Sequence, residues 1–164
     1  NLYRTIKKMT RKVGVIPFDV SGDKIAIMFV TSQKRGRWIL PKGNLHNKES
    51  HKQGCKREAF EEAGIKGKLF EDFPMTHSIS KSKKDRIENV AVTYYPFLVA
   101  EQFDNWPEKN KRERHWSLLN DALRVTDQVD FHNVINNFAA LKFSILDIAK
   151  QKKEKQREKQ RLAL

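Results

Sequence analysis

Residues 41–65, PKGNLHNKESHKQGCKREAFEEAGI, allow one helix and burden it with like charge. Pro41 cannot donate to a backbone ladder. From residue 49 to residue 63 the chain has no proline, only Gly54 as a weak point, and Gly64 where a left-handed cap is expected. Residues three and four apart share a helix face, so Glu58 lies beside both Glu61 and Glu62. Such pairs cost a few tenths of a kcal/mol each, roughly, unless a cation offsets them. Arg57 is rotated by about 100° from Glu58, which predicts that it stays outside the fan of carboxylates, pairs with Glu49 or a neighbour and holds the loop against the helix.

The flanking segments set the architecture around that helix. Residues 12–20, KVGVIPFDV, and Lys24–Thr31, KIAIMFVT, are rich in β-branched and aromatic residues, and SGD between them is turn chemistry, so they predict a hairpin. Residues 38–40 read as a short strand and residues 42–48 as a loop. Two more strands are expected at residues 65–73 and 89–101, joined by the polar, basic loop SISKSKKDRIE, and a last one at Arg114–Leu118. After a short helix in LLNDALRV, the apolar residues Val134, Phe138, Leu141, Ile145 and Ile148 recur as the stripe of one helix packed on the sheet. Beyond Lys150 the stripe vanishes. The reading is a single α/β (α+β) domain over residues 1–149, followed by a basic helix extension or tail at residues 150–164.

Composition narrows the chemistry. The 33 Lys and Arg against 20 Asp and Glu give a net charge of +13, a field that attracts phosphate groups. Residues 150–161 hold seven basic residues against two Glu, which leaves +8 on the rest. Cys55 is the only cysteine, so neither an intramolecular disulfide nor a Cys-based zinc site can form, and a reducing, cytoplasmic location is expected. No apolar run is long enough for a membrane span, and the N-terminal residues lack the apolar core of a signal peptide. His46, His51, His77, His115 and His132 show no metal spacing, and Cys55 reads as a packing residue. Core or rim packing is the expected role of Trp38, Trp106 and Trp116, with base stacking as the alternative.

Converging carboxylates are the hard-oxygen ligand set that Mg²⁺ and Mn²⁺ prefer, with the remaining positions filled by water and substrate phosphate. Gly43 can present its carbonyl to such an ion without obstruction. The spacing then carries the argument further. Gly43, five residues, Glu49, seven residues and REAFEEAGI, residues 57–65, resemble the Nudix box, G-x5-E-x7-R-E-U-x-E-E-x-G-U, with Ala59 and Ile65 at the apolar positions. The resemblance implies an α/β/α sandwich with a mixed sheet and a Mg²⁺- or Mn²⁺-dependent hydrolase of diphosphates. It also implies Glu58 and Glu62 as main metal ligands, Glu61 as a further ligand or base, Gly43 as a carbonyl ligand, and Arg57 with Glu49 as the orienting pair. The base is left among Glu61, Glu58 and an acid from a distant loop, for which Glu88 and Glu113 are candidates.

RWILPKG and DNWPEKNKRERHWSLLNDAL are similar to the diphosphoinositol polyphosphate phosphohydrolase branch, although KGN stands where that branch has three glycines. A Pro-Lys-Gly start is also similar to the diadenosine polyphosphate hydrolases. Either substrate is a polyanion, and the expected phosphate contacts are Arg37 and Lys42 beside the box, with Arg11, Lys12, Arg35 and Arg86. Two further basic groups are Lys81, Lys83 and Lys84, and Lys109, Lys111, Arg112 and Arg114. The rival readings are a pyrophosphohydrolase of RNA 5′ ends and a non-catalytic module that binds RNA or an acidic partner through its basic surface. A homodimer through the C-terminal helix is a further expectation from the resemblance.

Overall fold

A computed structural model describes residues 11–164. Its centre is an eight-stranded mixed sheet in the order β3-β2-β1-β7-β5, where β1 is Lys12–Ser21, β2 Lys24–Thr31, β3 Trp38–Ile39, β5 Ile65–Leu69 and β7 Arg86–Gln102. Three strands pair off that path: β4 (Lys42–Asn44) with β1, β6 (Met75–Lys83) with β7, and β8 (Arg114–Leu118) with β2. Only β1 and β7 run parallel, from Lys12 opposite Val92 to Phe18 opposite Leu98. The expected hairpin forms with Gly22 in its turn at φ 59.

Side chains alternate across a strand, and here both faces are covered. Val13 and Val15 of β1, Met28 and Val30 of β2, and Tyr95 and Phe97 of β7 pack beneath helix α1, His51–Ala63. Their neighbours Ile16, Phe18, Ile27, Phe29, Val92 and Tyr94 form the larger core on the opposite face. There they meet α3 (Val129–Ala140) and α4 (Lys142–Ala163), after the short helix α2 (Ala122–Val125). Two-sided burial explains why β1 and β2 read as nearly continuous apolar runs.

Four expectations need correction. Residues 42–44 are strand, held by Gly43 opposite Val13. The basic segment read as a loop is the body of a long hairpin: β6 pairs with β7 from Met75 opposite Tyr94 to Lys83 opposite Arg86, and only Lys84 and Asp85 turn. Its solvent-facing lysines hide the alternation. The long helix is two helices, broken at Leu141 (φ −101, ψ 5), although Val134, Phe138 and Ile145 do lie in one core. Finally, α1 starts after Ser50 and leaves Glu49 in the preceding loop.

Candidate active site

Helix α1 is capped at both ends as its sequence requires. The Ser50 hydroxyl accepts from the Gln53 N–H at 3.1 Å, and the Gln53 side chain accepts from the Ser50 N–H at 2.9 Å, a reciprocal capping box. Gly64 closes the C-terminus at φ 64, ψ 40. Cys55, Ala59 and Ala63 are small and fully buried, so the helix sits close on the sheet. The adjoining face carries Glu58 and Glu62, 8% and 6% exposed, against β4, while the Glu61 side chain is 39% exposed. A Cβ on Gly43 would run into the Glu58 carboxylate, so glycine is needed there to give that carboxylate room.

Arg57 does what its position in the sequence suggested, and more. Its Nε and Nη2 hold both oxygens of Glu49 at 2.8 Å, and Nη2 also donates to the Asn44 carbonyl at 2.9 Å. Glu49 in turn accepts from the His46 N–H at 3.0 Å, so β4 and the loop after it are tied to α1. The guanidinium holds the Glu49 carboxyl down to about 2. The expectation that Arg57 stays outside the carboxylate fan is overturned, because its Nη1 lies 2.6 Å from Glu58 and 3.3 Å from Glu61. The long side chain spans the angular offset that separates the Cα atoms.

Two further residues join the site: Arg112, from the third basic group, and Glu108, which the sequence did not single out. Arg112 Nη2 lies 3.2 Å from both Glu62 Oε1 and Glu108 Oε1, and Nη1 donates to the Thr31 carbonyl at 2.8 Å. Glu108 is thereby a fourth acid beside the box, and its backbone N–H donates to the Glu61 carbonyl. Trp106 anchors this loop: its indole N–H donates to the Glu62 carbonyl at 3.0 Å, and Arg114 lies 3.9 Å over its ring. The one available signal was Trp106, two residues before Glu108; nothing in the sequence brings residue 108 to residue 62. Of the distant-base candidates, Glu88 pairs with Lys83 and Arg86 on the β6–β7 hairpin, and Glu113 is exposed.

Burial dominates the electrostatics. It pushes the Glu62 carboxyl up to about 8, with Glu58 and Glu108 adding to the rise and Arg112 and the Lys42 N–H opposing it. It raises Glu58 as well, against the pull of Arg57. Among the described residues no three Asp, Glu, His or Cys side chains form a ready-made metal cluster. The donor set nevertheless fits a hard divalent cation: buried carboxylates under-compensated by nearby guanidinium groups, and a glycine cradle that a Cβ would fill.

Residues 8–138 match the NUDIX domain family model. The chain belongs to the Nudix family. It is 33% identical over 117 residues to Nudix hydrolase 21, chloroplastic, of Arabidopsis thaliana, covering 69% of this chain and 58% of that protein. Nudix hydrolase 4 of the same plant is 30% identical over 138 residues, covering 79% and 65%. Human diphosphoinositol polyphosphate phosphohydrolase 3-beta is 30% identical over 101 residues, covering 60% and 58%. The chain thus spans roughly three fifths of the length of these curated relatives. A Caenorhabditis elegans Ap4A hydrolase structure superposes with a TM-score of 0.63 at 21% identity, covering 80% of this chain and 96% of that one, a likeness of fold. The fold is accordingly the Nudix α/β/α sandwich with a mixed sheet and a long C-terminal helix.

In this Nudix domain a cleft of about 430 Å³ opens beside the box. Arg35, Arg37, Lys42, Lys81 and Arg112, all named from the sequence, line it with Lys34, over apolar Ile39, Ile79 and Phe131. Burial lowers the proton affinity of Lys42, with Lys12 and Lys81 adding to the fall, and burial likewise lowers that of Lys12, with Lys81 and Lys83 adding to it. Arg11 is exposed at the start of β1 and Arg86 is bound to Glu88 at 3.1 Å; neither lines the cleft. The tryptophans do not line it either: Trp106 is an anchor, Trp116 donates to Gln102, and Trp38 packs against His115. Cys55 is a packing residue, its buried thiol pushed up to about 12.

Proposed function

We propose that this Nudix domain is a Mg²⁺- or Mn²⁺-dependent hydrolase that cleaves a diphosphate linkage in a polyphosphorylated small molecule. The observation that carries the reading is the side-by-side burial of Glu58 and Glu62 at the edge of a cleft lined by six Lys and Arg residues. A bound divalent cation supplies charge neutralisation of the diphosphate and acidifies a coordinated water. Glu58 and Glu62 would hold it with the Gly43 carbonyl, and Glu61 would complete the set or act as the base. As the more exposed carboxylate, Glu61 would be the one placed to take the proton of the attacking water, with Glu108 a further acid in the same group. Arg57, clamped by Glu49, fixes the β4–α1 geometry on which both depend. Lys42, Arg37 and Arg35 bind and orient the outer phosphates, with Lys12 as a further cation at that end.

Two substrates suit this cleft: a diphosphoinositol polyphosphate, as in the name of the human relative, and a diadenosine polyphosphate, as in that of the nematode enzyme. Six cations over a floor with a single aromatic ring, Phe131, favour the substrate whose charge surrounds its whole body, the diphosphoinositol class. Residues 1–149 are read as the catalytic domain and residues 150–164 as an extension. The lone cysteine suits the cytoplasm, while relatives named for chloroplast and mitochondrion make an organelle the alternative. The test is a substrate panel with Mg²⁺: diphosphoinositol phosphates, diadenosine polyphosphates, nucleotide sugars and triphosphorylated RNA. Turnover of the first class by at least about tenfold over the others supports the reading, whereas preferential release of pyrophosphate from RNA replaces it with the RNA 5′-end activity.

A further inference from the structure

Helix α4 carries an outward face that the domain leaves unpartnered. Ile145 and Ala149 are fully buried in the core, and Lys152 and Lys153 turn back to Phe70 and Asp19. Phe143, Asp147, Lys150, Glu154, Arg157 and Arg161 are all exposed instead. Their spacing alternates four and three, the period that keeps one stripe of a helix toward one neighbour. Two hollows lie on that face. One, of about 600 Å³, borders its first half and is lined by Ile25, Leu118, Leu119, Phe143 and Leu146 together with charged residues. Phe143 is 77% exposed and Leu118 46%, so this groove leaves apolar surface open to solvent. The other, of about 200 Å³, is lined by Glu154, Arg157, Glu158 and Arg161 on the projecting second half.

The signs along the stripe are ordered: Asp147 negative, Lys150 positive, Glu154 negative, Arg157 and Arg161 positive. A polyanion laid along it would meet Asp147 and Glu154, and a membrane surface needs a continuous apolar face that the stripe lacks. A parallel second copy would set like charge against like. An antiparallel one does the reverse. With the two-fold axis level with Lys152, Asp147 meets Arg157 of the second copy and Lys150 meets its Glu154, and the symmetry repeats both pairs beyond the axis. At the two ends Phe143 meets Arg161, a guanidinium over an exposed ring, and Leu162 falls beside Lys142 and Phe143 at the open groove. Lys150 keeps its contact to Asp23 at 2.9 Å, since an ammonium has three donors. Sliding one heptad one way sets Lys150 against Arg161, and the other way carries Arg157 and Arg161 past the start of the opposite helix.

We propose that the chain forms a two-fold homodimer through the outward face of α4, paired antiparallel over residues 143–161, with the projecting half of each helix seated in the groove of the other copy. Asp23 and Lys24 of the β1–β2 turn belong to the wall of that groove, whereas Gly43 pairs with Val13 at the other end of β1. At about 3.3 Å per residue those ends are roughly 25 Å apart, so the dimer leaves both clefts open.

The experiment is sedimentation velocity of the full chain over a concentration series. The wild type should pass from monomer to dimer within the micromolar range, as a small and charged interface does. Asp147→Arg sets guanidinium against guanidinium across the interface, and Arg157→Glu sets carboxylate against carboxylate. Each substitution alone should weaken dimerisation at least about tenfold. An equimolar mixture of the two variants, and the double variant carrying both substitutions, should each recover the wild-type association, because both restore opposite charge between residues 147 and 157. Circular dichroism should match the wild type throughout, since both side chains are exposed. A monomer across the whole range, which would leave the face to a different protein, dimers undiminished in both single variants, or a loss that neither the mixture nor the double variant recovers would each overturn the proposal.

Discussion

At the residue scale the site depends on carboxylates that burial makes costly and geometry makes useful. Gly43→Ala places a methyl group against the Glu58 carboxylate. Overpacking of this kind costs about 1–3 kcal/mol, and Mn²⁺ titration should show weakened binding beyond any loss of thermal stability. Glu49 provides a pH prediction with a definite sign. Its carboxyl is held at about 2 in the fold against an ordinary 4.5, so its contribution to stability is complete above about 4.5 and is lost as pH falls toward about 2. Glu49→Gln should therefore lower stability at neutral pH and show a shallower further loss across that window, read by urea unfolding at each pH. Cys55, buried and with its thiol pushed up to about 12, should resist alkylation at neutral pH until the protein unfolds.

At the scale of elements, α1 is an instance where local and tertiary demands agree. Ser50→Ala removes the capping box and should cost about 1 kcal/mol, measurable as a lowered unfolding midpoint. Much of this was legible beforehand: the box spacing, the cap at Gly64, the β1–β2 hairpin and the Arg57–Glu49 pair all rest on short-range chemistry. What was not legible depends on distant partners. The β6–β7 hairpin carries lysines on exposed positions, so its period was masked until Tyr94 and Val92 are seen on the core side. Glu108 and Arg112 enter the site only because Trp106 packs on Gly64 and donates to the Glu62 carbonyl, a contact between residues 44 apart in sequence. The break at Leu141 is invisible to a periodicity that continues through it with the same apolar residues.

At the scale of the whole molecule, the sheet divides the labour. One face carries the box helix and the other the α3–α4 core, and the cleft opens where β4, the β6 strand and the residue 32–37 loop converge. The positive field of the chain brings polyanions toward that cleft, so the apparent KM for a polyphosphorylated substrate should rise with ionic strength while kcat changes little. On the proposed function, acid gathered inside a basic chain is intelligible: Glu58, Glu61 and Glu62 would hold a divalent cation, and Lys12, Arg35, Arg37 and Lys42 the phosphates beyond it. The most direct measurement of that claim is Mg²⁺-dependent phosphate release by the wild type and by Glu62→Gln, with calorimetric Mn²⁺ titration of both proteins. Loss of turnover by about 10²-fold or more, together with loss of Mn²⁺ binding in a variant of unchanged fold, is the predicted result. Undiminished phosphate release by Glu62→Gln would contradict the account.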